Sequence, residues 1–223
     1  MIIAFVGQKG GSGKSTMARL LAQQAADLED MTVHLADMDV RQRTSVKWAE
    51  RRRRNGLSDI SCTAYEDVPS ALEGARGFRL LIFDAKGLAD PQTLEIAQTS
   101  DLTVIPTSPG VDSLEEAVLL VHELTANGIG ADHIRFALFA TRKEAPRKRA
   151  RALNYLQGSG VEVLGGELPH MASYEMALDA GRSPAETVSA ATGEPLEGLN
   201  KAAVKLADAI ADALIDAATP RKD

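Results

Sequence analysis

Residues 7–16 read Gly7-Gln8-Lys9-Gly10-Gly11-Ser12-Gly13-Lys14-Ser15-Thr16. The apolar run Ile2 to Val6 leads into them, and a helical pattern opens at Met17. A G-x-x-x-x-G-K-[ST] string between a strand and a helix is a phosphate-binding loop: its glycines let the backbone wrap closely and turn N–H groups toward phosphate oxygens. The helix that follows adds the positive end of its dipole. On this reading Lys9, Gly10, Gly11, Ser12, Gly13, Lys14, Ser15 and Thr16 hold a nucleotide. Lys14 bridges its β- and γ-phosphates, and Ser15 ligates Mg²⁺. Lys9 opens the loop at a point from which a lysine cannot easily reach its own γ-phosphate.

Outward from the loop, short apolar runs alternate with helical patterns along most of the chain. The runs are Ile2 to Val6, Thr32 to Ala36, Ile60 to Ala64, Leu80 to Phe83, Leu102 to Ile105, Ile134 to Ala140 and Val161 to Leu164. Such alternation predicts βαβ units. Runs such as LLIF and LTVI are apolar toward both faces, as strands covered by helices on each side must be. Right-handed crossovers then give an α/β fold with a doubly wound, mostly parallel sheet, whose ligands bind at the carboxyl ends of the strands. A helix is expected from Asp112 through Leu124, stopping near Gly128. Ser183, Pro184 and Glu186 stand at cap, first-turn and capping-box positions. The expected organisation is one P-loop domain over residues 1–218, with a frayed tail at 219–223.

The 223 residues, 44% hydrophobic, suffice for one sizeable core. The beginning of the chain lacks the basic flank and long apolar core of a signal peptide, and no run approaches the roughly 18 apolar residues of a membrane span; a cytoplasmic protein is expected. The lone Cys62 builds neither an internal disulfide nor a metal cage. The net charge of −6 conceals two basic clusters. Lys47 stands with Arg51, Arg52, Arg53 and Arg54, and Arg142 and Lys143 with Arg147, Lys148, Arg149 and Arg151. Eleven of the 25 Lys and Arg lie in these two segments, which leaves the remaining surface acidic.

The run Arg79-Leu80-Leu81-Ile82-Phe83-Asp84 is an apolar strand ending in an acid, the Walker B form, in which Asp84 holds Mg²⁺, usually through water. Lys86, two residues on, fits contact with phosphate or partner as well as plain exposure. Guanine-specific P-loop proteins carry N-K-x-D where this chain reads Ala140-Thr141-Arg142-Lys143-Glu144, so the expected nucleotide is ATP.

The string KGGSGKST resembles the deviant Walker A loop of the ParA/MinD family, and the likeness extends from Ile2 to about Ala217. It implies that Lys9 crosses a dimer interface to the partner's nucleotide, so that ATP binding and homodimerisation become one event. Leu35-Ala36-Asp37-Met38-Asp39 resembles the family's D-x-D switch, although an acid pair after a strand also fits an ordinary turn or cap. The resemblance makes Asp39 the residue that orients the attacking water beside Mg²⁺. With Lys9 and Lys14 it completes the catalytic set, and with Ser15 and Asp84 the metal set. Asp37 would support the metal shell or the loop. Val40-Arg41-Gln42 stands where the family continues with Pro-Gln, whereas Trp48 and Arg51 again resemble the helix that follows in small ParA proteins. Glu167-Leu168-Pro169-His170-Met171 is similar to the family's adenine-pocket segment. Thr141, Arg142, Pro169 and Met171 are therefore the expected base contacts, and His170 fits a surface position equally well.

The segment Arg142 to Arg151 resembles the place where ParA proteins bind DNA without sequence preference. Lys143, Arg147, Lys148, Arg149 and Arg151 would neutralise phosphates there and release counterions, with Arg51 to Arg54 as weaker candidates. The last helix, Leu199 to Ala217, sets Ala203, Leu206, Ile210 and Leu214 opposite Asp208, Asp212 and Asp216. This is a helix for docking on a core and not a basic membrane anchor. Cluster-binding reductases of the family need cysteines at the dimer interface, where the lone Cys62, in an expected strand, is wrongly placed; on the likeness, an amino-terminal helix-turn-helix domain is not expected. The family likeness is nearest to small, ParF-like ParA proteins, which partition DNA or position cytoplasmic cargo over the nucleoid. It implies ATP, Mg²⁺, nonspecific DNA and a separate ParB-like or adaptor protein that stimulates hydrolysis. A small-substrate or cluster-assembly ATPase of the same fold, and a MinD-like spatial regulator, stand as alternatives.

Overall fold

The computed structural model describes residues 1–87, 91–141 and 146–219, without the side chains of Ala140 and Thr141. Arg142 and Lys143, expected at the base and DNA sites, lie outside the described residues, as does the side chain of Thr141. Each of the seven apolar runs forms a strand: β1 (Ile2–Phe5), β2 (Val33–Asp37), β3 (Ser61–Ala64), β4 (Leu80–Asp84), β5 (Leu102–Thr107), β6 (Ile134–Thr141) and β7 (Glu162–Pro169). They pair in parallel in one sheet of order β3-β2-β4-β1-β5-β6-β7. β7 runs longer than its apolar stretch predicts, and its register against β6 shifts between Phe136 and Leu138 and again between Phe139 and Thr141.

Alternation along the strands fills two cores, which is why the central runs are apolar throughout. Ile3, Phe5, Leu35, Ile82 and Val104 point to one face, where they meet Met17, Leu20 and Leu21 of α1 (Lys14–Ala26), Trp48 of α2 (Thr44–Arg54) and a stripe of the last helix. Ala4, Val6, Ala36, Phe83 and Ile105 point to the other. There they meet α3 (Val68–Gly74), α4 (Pro91–Thr99), α5 (Val111–Ala126) and α6 (Pro146–Gln157). After β7 come α7 (Ala172–Asp179), a 3-10 turn at Pro184–Glu186 and α8 (Glu197–Ala218). α8 buries Ala203, Leu206, Ile210 and Leu214 and leaves Asp208, Asp212 and Asp216 outside, so the docking helix expected from its stripe is present. No helix among the described residues is long and apolar enough to cross a membrane.

Local chemistry sets the helix starts. Asp67 accepts from the Ser70 amide at α3, and Ser183 with Glu186 forms the capping box expected from the sequence. α2 begins differently, on a carboxylate from outside the helix. Asp37, the last residue of β2, accepts from the amides of Ser45 (2.8 Å) and Val46 (3.2 Å). α1 has no side-chain cap at all; its first residues, Lys14 to Thr16, are the end of the loop that the sequence assigns to phosphate.

Candidate functional site

The site lies where β1, β4 and β2 end together. Pairing sets Phe5 beside Asp84 and Asp84 beside Asp37, so two strand-end carboxylates adjoin the loop that follows β1. Gly13 takes φ 101°, and a Cβ there would stand 2.7 Å from the Phe139 ring. Only glycine meets both conditions. The Lys14 ammonium is drawn back into the loop, donating to the Lys9 carbonyl (2.8 Å) and the Ser12 hydroxyl (3.3 Å). Burial pushes this ammonium below the usual lysine range, and Asp84 partly restores it.

Behind the loop is a buried polar chain. Asp84 accepts from the Ser15 hydroxyl at 3.0 Å on one oxygen and from the Ser45 hydroxyl at 2.6 Å on the other. Ser45, fully buried, accepts in turn from Arg19 Nε at 3.0 Å. Burial pushes the Asp84 carboxyl up, opposed by the Arg19 charge and by the two hydroxyl bonds. Neither Ser45 nor Arg19 was visible as a site residue in the sequence. An arginine one turn after a phosphate loop reads as a helix-surface charge, and a serine near a helix start reads as a cap.

A cleft of about 410 Å³ opens over this chain, lined by Gly10, Lys14, Ser15, Asp39, Asp84 and Lys86 among others. Asp39 reaches it while one of its oxygens accepts from the amides of Arg41 (3.2 Å) and Gln42 (3.0 Å). Asp39 thus braces a turn and also lines the cleft. Mg²⁺ prefers a few protein oxygens completed by phosphate and water. The Ser15 hydroxyl and Asp84, already within hydrogen-bond distance, with Asp39 across the cleft, form such a set. Among the described residues no three His, Cys, Asp or Glu gather into a protein-only metal cage. The residues thus fit an Mg²⁺ ion bound together with nucleotide.

On the other side of the loop a smaller cleft of about 200 Å³ is lined by Lys9, Thr107, Ser108, Ser113, Glu116 and Phe139 among others. The Lys9 ammonium forms an ion pair with Glu116 of α5 and remains 56% exposed. Its hydrogen bond to Glu116 raises its pKa, with Asp112 adding attraction. Pro169 ends β7, and Met171, 38% exposed, precedes α7. These two expected base contacts line neither cleft. His170 is exposed.

The two basic clusters separate. On α6, Arg147, Lys148, Arg149 and Arg151 are all exposed, and Arg149 is engaged with Glu167 of β7 at 2.5 Å. On α2, Arg52 is no surface cation: its side chain is 1% exposed, and it grips Glu186 with two bonds of 2.6 and 2.9 Å and the Ser58 carbonyl with a third of 2.7 Å. Arg51, half-buried, donates to the Leu178 carbonyl. Both are thereby withdrawn from the weaker DNA-facing set.

A glycine loop between strand and helix, with an acid ending the neighbouring strand beside the loop serine, defines a P-loop nucleotide-binding protein. Residues 3–184 match the CobQ/CobB/MinD/ParA nucleotide binding domain, and the chain belongs to that family. The family consists of P-loop ATPases, with ATP and Mg²⁺ as its ligands. Solved structures share the fold at low sequence identity. The MinC:MinD cell division complex of Aquifex aeolicus matches at 15% identity and TM-score 0.72, covering 100% of this chain and 98% of the other. A candidate plasmid partition protein of Borrelia burgdorferi bound to AMPPNP matches at 16% and 0.69, over 95% and 98%. The septum site-determining protein MinD of Pyrococcus horikoshii with Mg-ADP matches at 14% and 0.68, over 98% and 99%. No curated protein aligns with the chain at a significant level.

Proposed function

We propose that this ATPase is a dimerising switch, acting as one unit over residues 1–218, that binds DNA nonspecifically in its ATP state and partitions DNA or positions a cytoplasmic cargo over the nucleoid. The observation that carries the reading is the posture of Lys9. Its ammonium rests on Glu116 and stays 56% exposed at the surface while Lys14 occupies the loop, a division of labour that supports a role for Lys9 outside its own loop. In the ATP dimer Lys9 crosses to the partner's nucleotide, Lys14 holds the β- and γ-phosphates, and Asp39 orients the water. Ser15 and Asp84 hold Mg²⁺, with Asp39 nearby. Thr141, Arg142, Pro169 and Met171 remain the proposed base contacts.

The DNA surface is the exposed face of α6. Arg147, Lys148 and Arg151 carry it in this reading, with Lys143 preceding them and Arg149 recruited when it leaves Glu167. A separate ParB-like or adaptor protein stimulates hydrolysis, and no membrane partner is invoked. A second reading draws on the breadth of the matched family, which spans CobQ and CobB as well as MinD and ParA. The cleft lined by Thr107, Ser108 and Ser113 is where a small substrate would sit.

The test is retention on nonspecific duplex DNA with ADP, ATP or AMPPNP at several salt concentrations. Retention should require ATP or AMPPNP and disappear in Lys14→Ala. Each of Arg147→Ala, Lys148→Ala and Arg151→Ala, removing one contact from each protomer of the dimer, should lower the slope of log affinity against log salt by about 2. Equal retention of Lys14→Ala and wild type would end the DNA-switch reading. ATP turnover that follows a small acid and ignores DNA would replace it with the second.

A further inference from the structure

Ser45 ties the Asp84 carboxylate to α2 and to the protein's sole tryptophan. Its hydroxyl donates to Asp84 at 2.6 Å and accepts from Arg19 Nε at 3.0 Å, using both capacities of a hydroxyl group. The Arg19 guanidinium carbon lies 5.9 Å from the centroid of the Trp48 ring, and Arg52 stacks on the same ring at 5.6 Å. Trp48 is wholly buried and donates from its indole nitrogen to the Arg182 carbonyl at 3.0 Å. Every link is at hydrogen-bond or cation–π distance, and a close-packed interior passes small displacements on.

At the site end, the opposite oxygen of Asp84 accepts from Ser15. Mg²⁺ bound with nucleotide would take the Ser15 oxygen and meet Asp84 usually through water, while Ser45 holds the other Asp84 oxygen from behind. The backbone amide of Ser45 donates to Asp37 and starts α2. That bond is independent of the hydroxyl, so the two roles of this residue can be separated.

We propose that Ser45 is a positioning residue for Mg²⁺, orienting Asp84 from behind and relaying occupancy of the site through Arg19 to Trp48 on α2. The inference rests on the Mg·nucleotide reading of the cleft. Its reach is wider than metal affinity, because α2 follows directly on the turn braced by Asp39. A displacement of Asp84 on metal binding would thereby be felt by the helix that follows the switch acids.

The experiment follows Trp48 emission while Mg²⁺ is titrated into protein saturated with ADP, with calorimetry of Mg·ADP binding on the same samples. Wild type should show a saturable emission change. Ser45→Ala should bind metal-free ADP within about twofold of wild type, require roughly 10- to 100-fold more Mg²⁺ and lose the emission response. Ser45→Thr, which keeps the hydroxyl, should recover both. Arg19→Gln, which leaves the Ser45–Asp84 bond in place, should keep metal binding within a few-fold but lose the emission change. Wild-type metal dependence and emission in Ser45→Ala would overturn the proposal, as would Mg·ADP binding to wild type without any change at Trp48. Either result leaves the nucleotide reading intact; failure of wild type to bind ADP at all would remove both.

Discussion

Asp39 has two tasks that a single substitution can separate. It braces its turn through the amides of Arg41 and Gln42 and faces the cleft beside Ser15 and Asp84. Asp39→Asn keeps an acceptor for the amides but is a far weaker base. It should retain ATP binding while slowing hydrolysis roughly 10²- to 10⁴-fold, as measured by phosphate release; unchanged turnover would remove Asp39 from the chemistry. His34 concerns stability instead. It is buried in β2, with one ring nitrogen 2.8 Å from the Ser61 hydroxyl and the other 2.9 Å from the Tyr65 hydroxyl. Burial lowers its pKa from the ordinary 6.5. The unfolded chain therefore binds this proton first, so the stabilisation is whole above pH about 6.5 and declines as pH falls below that value. His34→Gln should flatten the fall in melting temperature between pH 7 and pH 5, and an unaltered fall would assign it to other groups. The proximity of Ser15 and Asp84 was legible in the sequence because Ser15 lies in the loop motif after β1 and Asp84 ends the apolar run of β4. Ser45 and Arg19 were not, because Ser45 and Asp84 stand 39 positions apart in the chain and meet only through the pairing of β2 with β4.

The elements show where a charge pattern misleads. Four successive arginines ending α2 read from sequence as an exposed basic face, yet the helix turns Arg52 inward onto Glu186, Ser58 and Gly181. Gly181 has φ 74°, and a Cβ there would fall 2.3 Å from the Arg52 amide nitrogen, so the end of α2 and the turn after α7 touch backbone to backbone. Arg52→Ala leaves Glu186 half-paired and empties a buried volume. It should cost about 3 kcal/mol of unfolding free energy, read from urea denaturation; a loss below 0.5 kcal/mol would show this contact to be incidental. Strand positions were legible because alternating and continuous apolar runs follow directly from burial on one or both faces. The pairing of Lys9 with α5 depends on β1 adjoining β5. That information is absent from any local window of sequence.

At the scale of the whole molecule, the loop divides the proposed hydrolytic residues on one face from an exposed lysine on the other. Lys14, Ser15, Asp39 and Asp84 share the larger cleft, whereas Lys9 and Glu116 line the smaller one. In the proposed switch a protomer arranged in this way would bind nucleotide alone and be completed by a second copy, which would make nucleotide state and oligomeric state one variable. The exposed cations of α6 would then act in pairs, making DNA affinity rise steeply on dimerisation through effective concentration. The most direct test of this account is the mass of the protein in solution, by light scattering, with ADP and with AMPPNP, for wild type and for Lys9→Ala. The account predicts a wild-type monomer with ADP and a dimer with AMPPNP, and a Lys9→Ala protein that binds AMPPNP but stays monomeric. A wild type that remains monomeric with AMPPNP bound, or a Lys9→Ala variant that dimerises as wild type does, would contradict it.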